Sequence, residues 1–281
     1  MSAARRPPAR GIALDRSLEA LPLFRLADSS EDGAIAYTDE SGGRWRVIPY
    51  PGDRLPGTFD QDVYVELLRR YQDAGSPAHG VVTFTLHNFL RSISRRVDGR
   101  TYEQLRSALV RMHRTTLEST GAYWDARTRA PFHGTFSLLS AIRIDRRRAT
   151  DREQLGLFPA LPANEPGEAR VTLAACMRAN IADGHTSVLW PSQYLGLSSP
   201  VSRRLYRMVC VARAEGRDHW ALPLPELAER LPLSQRYPSH LQRVLQPAHE
   251  MLVAAGLVRT AELGQDGGTW LVRYVLPPRA A

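Results

Sequence analysis

The 281-residue chain contains no lysine, so all 37 of its basic side chains are arginine. A GC-rich coding sequence produces such a bias, but the physical consequence is the same whatever its origin. Every cation is a planar fork suited to phosphate and to guanine edges. There are only two cysteines, Cys176 and Cys210. Two are too few for a disulfide framework, and these two are too far apart for a metal knuckle, so both are expected as buried free thiols in a reducing compartment. No apolar run approaches the length needed to cross a bilayer. "MSAARRPPARG" is followed by "IALDRSLEALPLF", in which Asp15, Arg16 and Glu19 break the apolar run, so no signal peptide is expected. The protein is read as cytoplasmic, with no membrane partner.

Catalytic signatures are scarce as well. No Gly-rich loop has the phosphate-cradling form of an ATPase or helicase. His185 and His219 have no cysteine or carboxylate partner at metal spacing, and His240 and His249 do not share a helical face. His87 and His113 are expected to be satisfied structural or surface histidines. Tyr206, in "RRLYR", lacks the His cluster or Arg/His pocket that a DNA-cleaving tyrosine needs. It is expected to pack, with a wet hydroxyl. No enzyme, metal or cofactor is expected.

What is present is a folding composition, 43% apolar and 23% charged, with a formal charge of +8. The charge is uneven. Residues 1–50 balance seven arginines with seven acids, residues 51–158 hold 17 arginines against 12 acids, and residues 167–281 hold 13 against nine. Both halves of the body are basic, which favours a nucleic-acid partner over a small molecule.

Residues 1–20 are read as a flexible N-terminus. "LFRLAD", "AIAYTD" and "RWRVIPY" then predict a small antiparallel β-hairpin unit. "TFDQDVYVELLRRYQDAG" predicts a helix with Thr58 and Gln61 at capping-box spacing. "GVVTF" predicts a strand, "TLHNFLRSI" a short helix, and "VDGRTYEQLRSALVRMHRTTLE" a long one. Two strand-like runs, around 122–124 and over 135–144, follow, joined through "DARTRAPFHG".

The order then repeats. "SSPVSRRLYRMVCVARAEG" predicts a helix with Ser199 as N-cap and Pro200 at its first position. "HWALPL" predicts a strand, "PELAERL" a short helix, and "RYPSHLQRVLQPAHEMLVAAG" a long helix. "LVRTAEL" and "TWLVRYVL" flank the turn "GQDGG". Val63, Leu67 and Tyr71 match Val201, Leu205 and Val209 at a constant offset, as Val82, Phe89 and Ile93 match Trp220, Leu227 and Leu231. This is an internal duplication. Helix, strand, helix, helix and hairpin is the order of a winged helix. The fold class is α+β: two tandem winged-helix domains, mainly helical, over residues 21–158 and 169–281. The Pro-rich linker is placed at 159–168.

The long helix of the first half sorts its residues. On a wheel, Arg100, Gln104, Ser107, Arg111 and Arg114 fall within an arc of roughly 80°. Tyr102, Leu105, Leu109 and Met112 face the other way. The stripe has donors and small polar groups and no acid of its own. A solvated face normally mixes signs, because Glu–Arg pairs one turn apart support a helix. A stripe of one sign is suited to a polyanion. Arg95 and Arg96 precede this helix, and Arg127 and Arg129 sit on the first hairpin tip, where a wing reaches phosphates. In the second half, Ser239, Gln242, Arg243 and Gln246 share the polar arc, with Arg236 just before, and Pro247 is expected to kink the helix. The second tip, with Asp266 and no arginine, is expected to touch DNA weakly or not at all. Arg146 to Arg148 are read either as tracking the DNA backbone or as a solvated linker.

"DRLPGTFDQDVYVELLRRY", "DGRTYEQLRSALVRMHRTTLES" and "YLGLSSPVSRRLYRMV" together resemble the plasmid replication initiator protein A family. The resemblance runs from about Leu21 to Leu276. It implies binding of repeated duplex sites at a plasmid origin, opening of adjacent DNA, and recruitment of the host initiator and replicative helicase. It also implies a monomer on DNA, and a homodimer that represses its own gene. The alternative is a transcriptional regulator of the same fold with no replication role. A protein-binding scaffold is a further rival.

Overall fold

The computed structural model describes residues 10–26, 33–146, 166–233, 235 and 237–278. The chain starts with β1 (Ile12–Asp15), α1 (Arg16–Ala20), β2 (Ile35–Thr38), β3 (Arg44–Ile48) and α2 (Thr58–Asp73). β4 (Val81–Thr85), α3 (Leu86–Ser92) and α4 (Gly99–Arg114) follow. Then come β5 (Thr116–Asp125), β6 (Ala130–Phe136), β7 (Leu139–Arg146) and β8 (Pro166–Leu173). The second half contains α5 (Ala175–Ala182), β9 (Thr186–Leu189), α6 (Pro191–Gly196), α7 (Pro200–Ala214), β10 (His219–Pro223) and α8 (Leu224–Arg230). It ends with α9 (Pro238–Ala254), β11 (Thr260–Asp266) and β12 (Thr269–Val275). Helices combine with antiparallel sheets throughout.

One topology occurs twice. In the first half, β4–β8–β7 form a three-stranded antiparallel sheet, and in the second, β10–β12–β11 form another. In each, the strand that follows the long helix (α2 or α7) pairs with the last strand, and the middle strand of the sequence takes the edge. The helices before each sheet keep the predicted order. α2 buries Val63, Leu67, Leu68 and Tyr71, and α7 buries Val201, Leu205, Met208 and Val209. Each fully buried leucine contributes about 1.5–3 kcal/mol of apolar transfer.

Four sequence expectations change here. The first concerns residues 12–20, expected as part of a flexible end. They form β1 and α1 and bury Ile12, Leu14 and Leu18, because β1 pairs with β9 of the second half. The second is the first hairpin. The run 135–144 is two strands, not one. β5 and β6 extend the N-terminal strands into a separate sheet, β2–β3–β5–β6, and the hairpin matching β11–β12 is β7–β8. The third is the segment read as an interdomain linker at 159–168. Its end, from residue 166, is already β8, paired with β4 and β7. Residues 147–165, with Arg147 and Arg148, lie outside the described residues. The fourth is "LFRLAD", which is not a strand. The described part of that stretch is irregular, with Leu23, Phe24 and Leu26 buried.

Asp15 pins these parts together. Its carboxylate caps α1, accepting from Ser17 N at 3.0 Å, and accepts from Asn180 Nδ2 at 3.1 Å and from the Tyr123 hydroxyl. Complete burial pushes the Asp15 carboxyl up to about 7, against the lowering effect of those hydrogen bonds. Cys176 and Cys210 are free and buried as expected, and burial raises them to about 11 and about 12.

Candidate nucleic-acid interface

α4 begins at Asp98, whose carboxylate accepts the Thr101 N–H at 2.9 Å while Thr101 Oγ1 accepts the Asp98 N–H at 3.1 Å. These bonds satisfy two otherwise orphaned donors and fix where the helix starts. The Thr101 backbone bond also holds the exposed Asp98 carboxyl below the usual carboxylate range. The helix buries Tyr102, Leu105, Ala108, Leu109 and Met112 against α2, α3 and β7. Leu109→Ala would cost about 3 kcal/mol. Arg100, Gln104, Ser107 and Arg114 are exposed on the opposite side.

Arg111 departs from the stripe. Only 16% of its side chain is exposed, and its guanidinium bonds Asp60 of α2 at 3.1 Å. Asp60 also accepts the Gly57 N–H at 2.8 Å, so the lead-in cap of α2 is Gly57 with Asp60, not Thr58 with Gln61. Burial raises the Asp60 carboxyl and Arg111 pulls it back down.

Other acids reach several of the neighbouring arginines. Arg114 lies 3.6 Å from Asp53 and 4.9 Å above the Tyr50 ring. Arg95 bonds Asp62 at 3.0 Å, Arg96 lies 3.5 Å from Asp98, and Arg106 pairs with Glu103. The stripe carries no acid of its own, but neighbouring elements supply several. Among the described residues, Arg100 has no ion-pair partner. A cleft of about 460 Å³ between α4 and β7 is lined by Asp53, Glu103, Arg106, Ser107, Arg111 and Ile144.

α9 buries Leu241, Leu245, Ala248, His249 and Leu252 and exposes Ser239, Gln242, Arg243 and Gln246. Gln246 Nε2 donates to Glu250 at 2.9 Å, while Arg243 has no ion-pair partner among the described residues. The helix runs continuously through Pro247. Arg236 lies outside the described residues. Sequence reasoning missed Tyr237, which is 70% exposed at the helix start with its ring edge-on to His240. The signal was an aromatic directly before the N1 proline.

At the β5–β6 tip, Arg127 chelates Asp125, with Nη2 at 2.7 Å, and Arg129 is exposed in the left-handed region at φ 52°. The Arg127 hydrogen bond lowers the Asp125 carboxyl. Both arginines therefore sit on the inserted sheet and not on the hairpin that matches β11–β12. At the β11–β12 tip, Asp266 pairs with Arg273 at 2.7 Å.

The other candidates fall into place. His87 Nδ1 meets the Tyr102 hydroxyl at 3.3 Å, and His113 Nδ1 meets the Leu139 carbonyl at 2.7 Å. Both are satisfied, as expected. Tyr206 packs, but its hydroxyl is buried against Gln193 and the Trp190 N–H, so it is not wet. Ser17 Oγ lies 2.7 Å from His185 Nε2, yet Arg16 donates to His185 Nδ1 at 3.0 Å. Arginine only donates, so the ring proton sits on Nε2 and points at Ser17. The ring cannot act as a base for that hydroxyl in this state. Among the described residues no group of three metal-ligating side chains occurs, and no helix is long and apolar enough to cross a membrane.

The fold has solved counterparts. Selenomethionine-derivative crystals of domains 2 and 3 of RctB superpose with a TM-score of 0.59 at 11% identity, covering 94% of this chain and 99% of that one. A second structure of RctB domains 2–3 gives 0.51 at 11% identity, covering 93% and 97%. The Pi initiator protein in complex with iteron DNA gives 0.46 at 12% identity, covering 79% and 95%. No curated protein matches in sequence. Residues 14–251 match the family described as Replication initiator protein A. The chain belongs to that family of replication initiators.

Proposed function

We propose that this replication initiator binds repeated duplex sites at a plasmid origin through two winged-helix domains, with α4 and α9 as the reading helices. The observation that carries the reading is the doubled topology, in which the third helix of each copy turns arginine, amide and hydroxyl groups outward. Arg100, Gln104 and Ser107 approach one major groove, and Ser239, Gln242, Arg243 and Gln246 approach the next. Arg96 and Arg114 contact phosphates. Arg111 and Arg95, held by Asp60 and Asp62, position the helix and do not read bases. The wings are β7–β8 and β11–β12. The second, with an acid at its tip, contributes little.

On this reading the protein is a cytoplasmic, non-enzymatic DNA-binding protein without metal or cofactor. It binds as a monomer, forms a homodimer that represses its own gene, opens adjacent DNA, and recruits the host initiator and replicative helicase. The test has two arms. Filter binding with genomic fragments should retain the DNA beside this gene, and a circle carrying only the gene and its upstream repeats should replicate in a related host. Retention without replication makes the protein a transcriptional regulator. No retention above background makes it a scaffold and overturns the reading.

A further inference from the structure

The two halves meet through buried polar groups, and one carboxylate stands at their crossing. Asp62, on α2 and 2% exposed, accepts from three donors in three other segments. Arg95 Nη2, in the turn that leads into α4, lies 3.0 Å from Oδ2. Arg203 Nη1, on α7, lies 2.5 Å from the same oxygen, and the Tyr194 hydroxyl, on α6, lies 3.0 Å from Oδ1. Each donor is itself held. The Arg95 guanidinium stacks 5.5 Å from the Phe59 ring, and Arg203 stacks 5.3 Å from Tyr194 while donating to the Leu197 carbonyl at 2.7 Å.

Neighbouring contacts continue the same seam. Gln61 accepts from Arg207 Nη2 at 3.0 Å and donates to the Pro200 carbonyl at 3.3 Å. Glu19 of α1 takes both Arg204 and Arg207. A purely apolar seam would tolerate sliding, since dispersion and transfer depend weakly on direction. A buried charge network does not, because any shift strands a desolvated charge.

We propose that Asp62 is a specificity-determining residue. It ties the approach to α4 in the first half to α6 and α7 in the second, and so fixes the base-pair spacing at which the two reading helices can act together. The inference rests on the two-helix reading proposed above. One base pair turns the duplex by about 34°. A rigid seam therefore admits one spacing, and a loosened seam admits several. Asp62 is a positioning residue, since it touches no DNA itself.

The test uses the full chain. Wild-type protein selects sites from random-sequence duplexes, and footprinting divides the selected site into two protected blocks. Affinity is then measured as one to four base pairs are inserted or removed between the blocks. The wild type should lose at least about tenfold per inserted base pair, the cost of about one lost bidentate base contact. Asp62→Asn should keep the base preferences of each block but lose less than about threefold per insertion. Tyr194→Phe keeps the ring, removes one donor, and should flatten the profile to a smaller degree, so it decides the matter if Asp62→Asn does not fold. A wild-type spacing profile in whichever variant folds overturns the proposal, as does a wild-type protein that tolerates insertions. If the wild type enriches no sequence at all, the two-helix reading fails first. A sequence-specific wild type with unchanged variants sinks the role of Asp62 alone.

Discussion

Arg111 and Asp60 are joined by two hydrogen bonds, 3.1 Å from Nε and 3.3 Å from Nη2, across 51 residues of sequence. The pair takes one arginine off the polar stripe of α4 and uses it to clamp α4 onto α2. It separates two kinds of arginine on one helix, those that serve the fold and those that face outward.

That separation is measurable. Arg111→Ala strands the nearly buried Asp60 carboxylate and should cost about 3 kcal/mol of stability, seen as a lower midpoint in urea. Arg100→Ala should leave the midpoint unchanged but cost about 1–3 kcal/mol of binding to the selected site and relax preference at one base position. The opposite pattern would place Arg111 on the DNA and Arg100 in the fold.

Base reading on α9 and backbone contact on α4 should part. Arg243→Ala or Gln242→Ala should each cost about 1–3 kcal/mol on the selected site and relax preference at one base position. Arg114→Ala should weaken all duplexes alike. Competition binding with single-base variants of the site checks this. Uniform loss in the Arg243 and Gln242 variants would remove them from base reading.

Asp15 should make stability fall as pH rises. Its folded value of about 7 lies above the unfolded 3.8, so the folded state holds the extra proton between these values. The contribution is complete below about pH 4 and is lost by about pH 7, on the order of 4 kcal/mol. Thermal melts of wild type and Asp15→Asn across that range should show the wild type losing ground to the variant as pH rises. Parallel curves would mean that Asp15 is ionised throughout.

His249 works in the other direction. It lies on the buried face of α9 with Nε2 2.9 Å from the Tyr274 hydroxyl, and burial lowers it to about 4. The unfolded chain takes up the proton first, so stability is lost as pH falls from about 6.5 toward 4. His249→Phe should remove that acid-side loss, giving melting temperatures that fall less than the wild type's between pH 6 and pH 4.5. An unchanged acid response would mean the imidazole is hydrated in solution.

Local patterns carried much of this fold. The apolar spacing of α2, α4 and α7 places their buried faces where the structure has them, whereas α9, matched to α4 through Val244, Ala248 and Met251, buries Leu241, Leu245 and Leu252 and leaves Val244 and Met251 half-buried. Ser199 caps α7 as its position before Pro200 suggests, accepting the Ser202 N–H at 3.4 Å. Helix periodicity is written within a few turns, so neighbouring residues suffice to read it. Strand pairing is not. Nothing in "GEARVTL" says that it pairs with Val81–Thr85 across a whole half-domain, nor in "IALD" that its partner is Thr186–Leu189. The β5–β6 hairpin reads like a wing from its tip arginines, and only its pairing through β3 to β2 assigns it elsewhere.

By itself the sequence determined the basic balance, the duplicated order of elements, and the side of each long helix that meets the core, because composition and short-range periodicity depend on no distant contact. Tertiary structure alone decided which arginines remain free. Asp60 and Asp62 come from a segment far from α4 in the chain, and a guanidinium at the surface is committed to fold or to partner only when the carboxylate opposite it is in place.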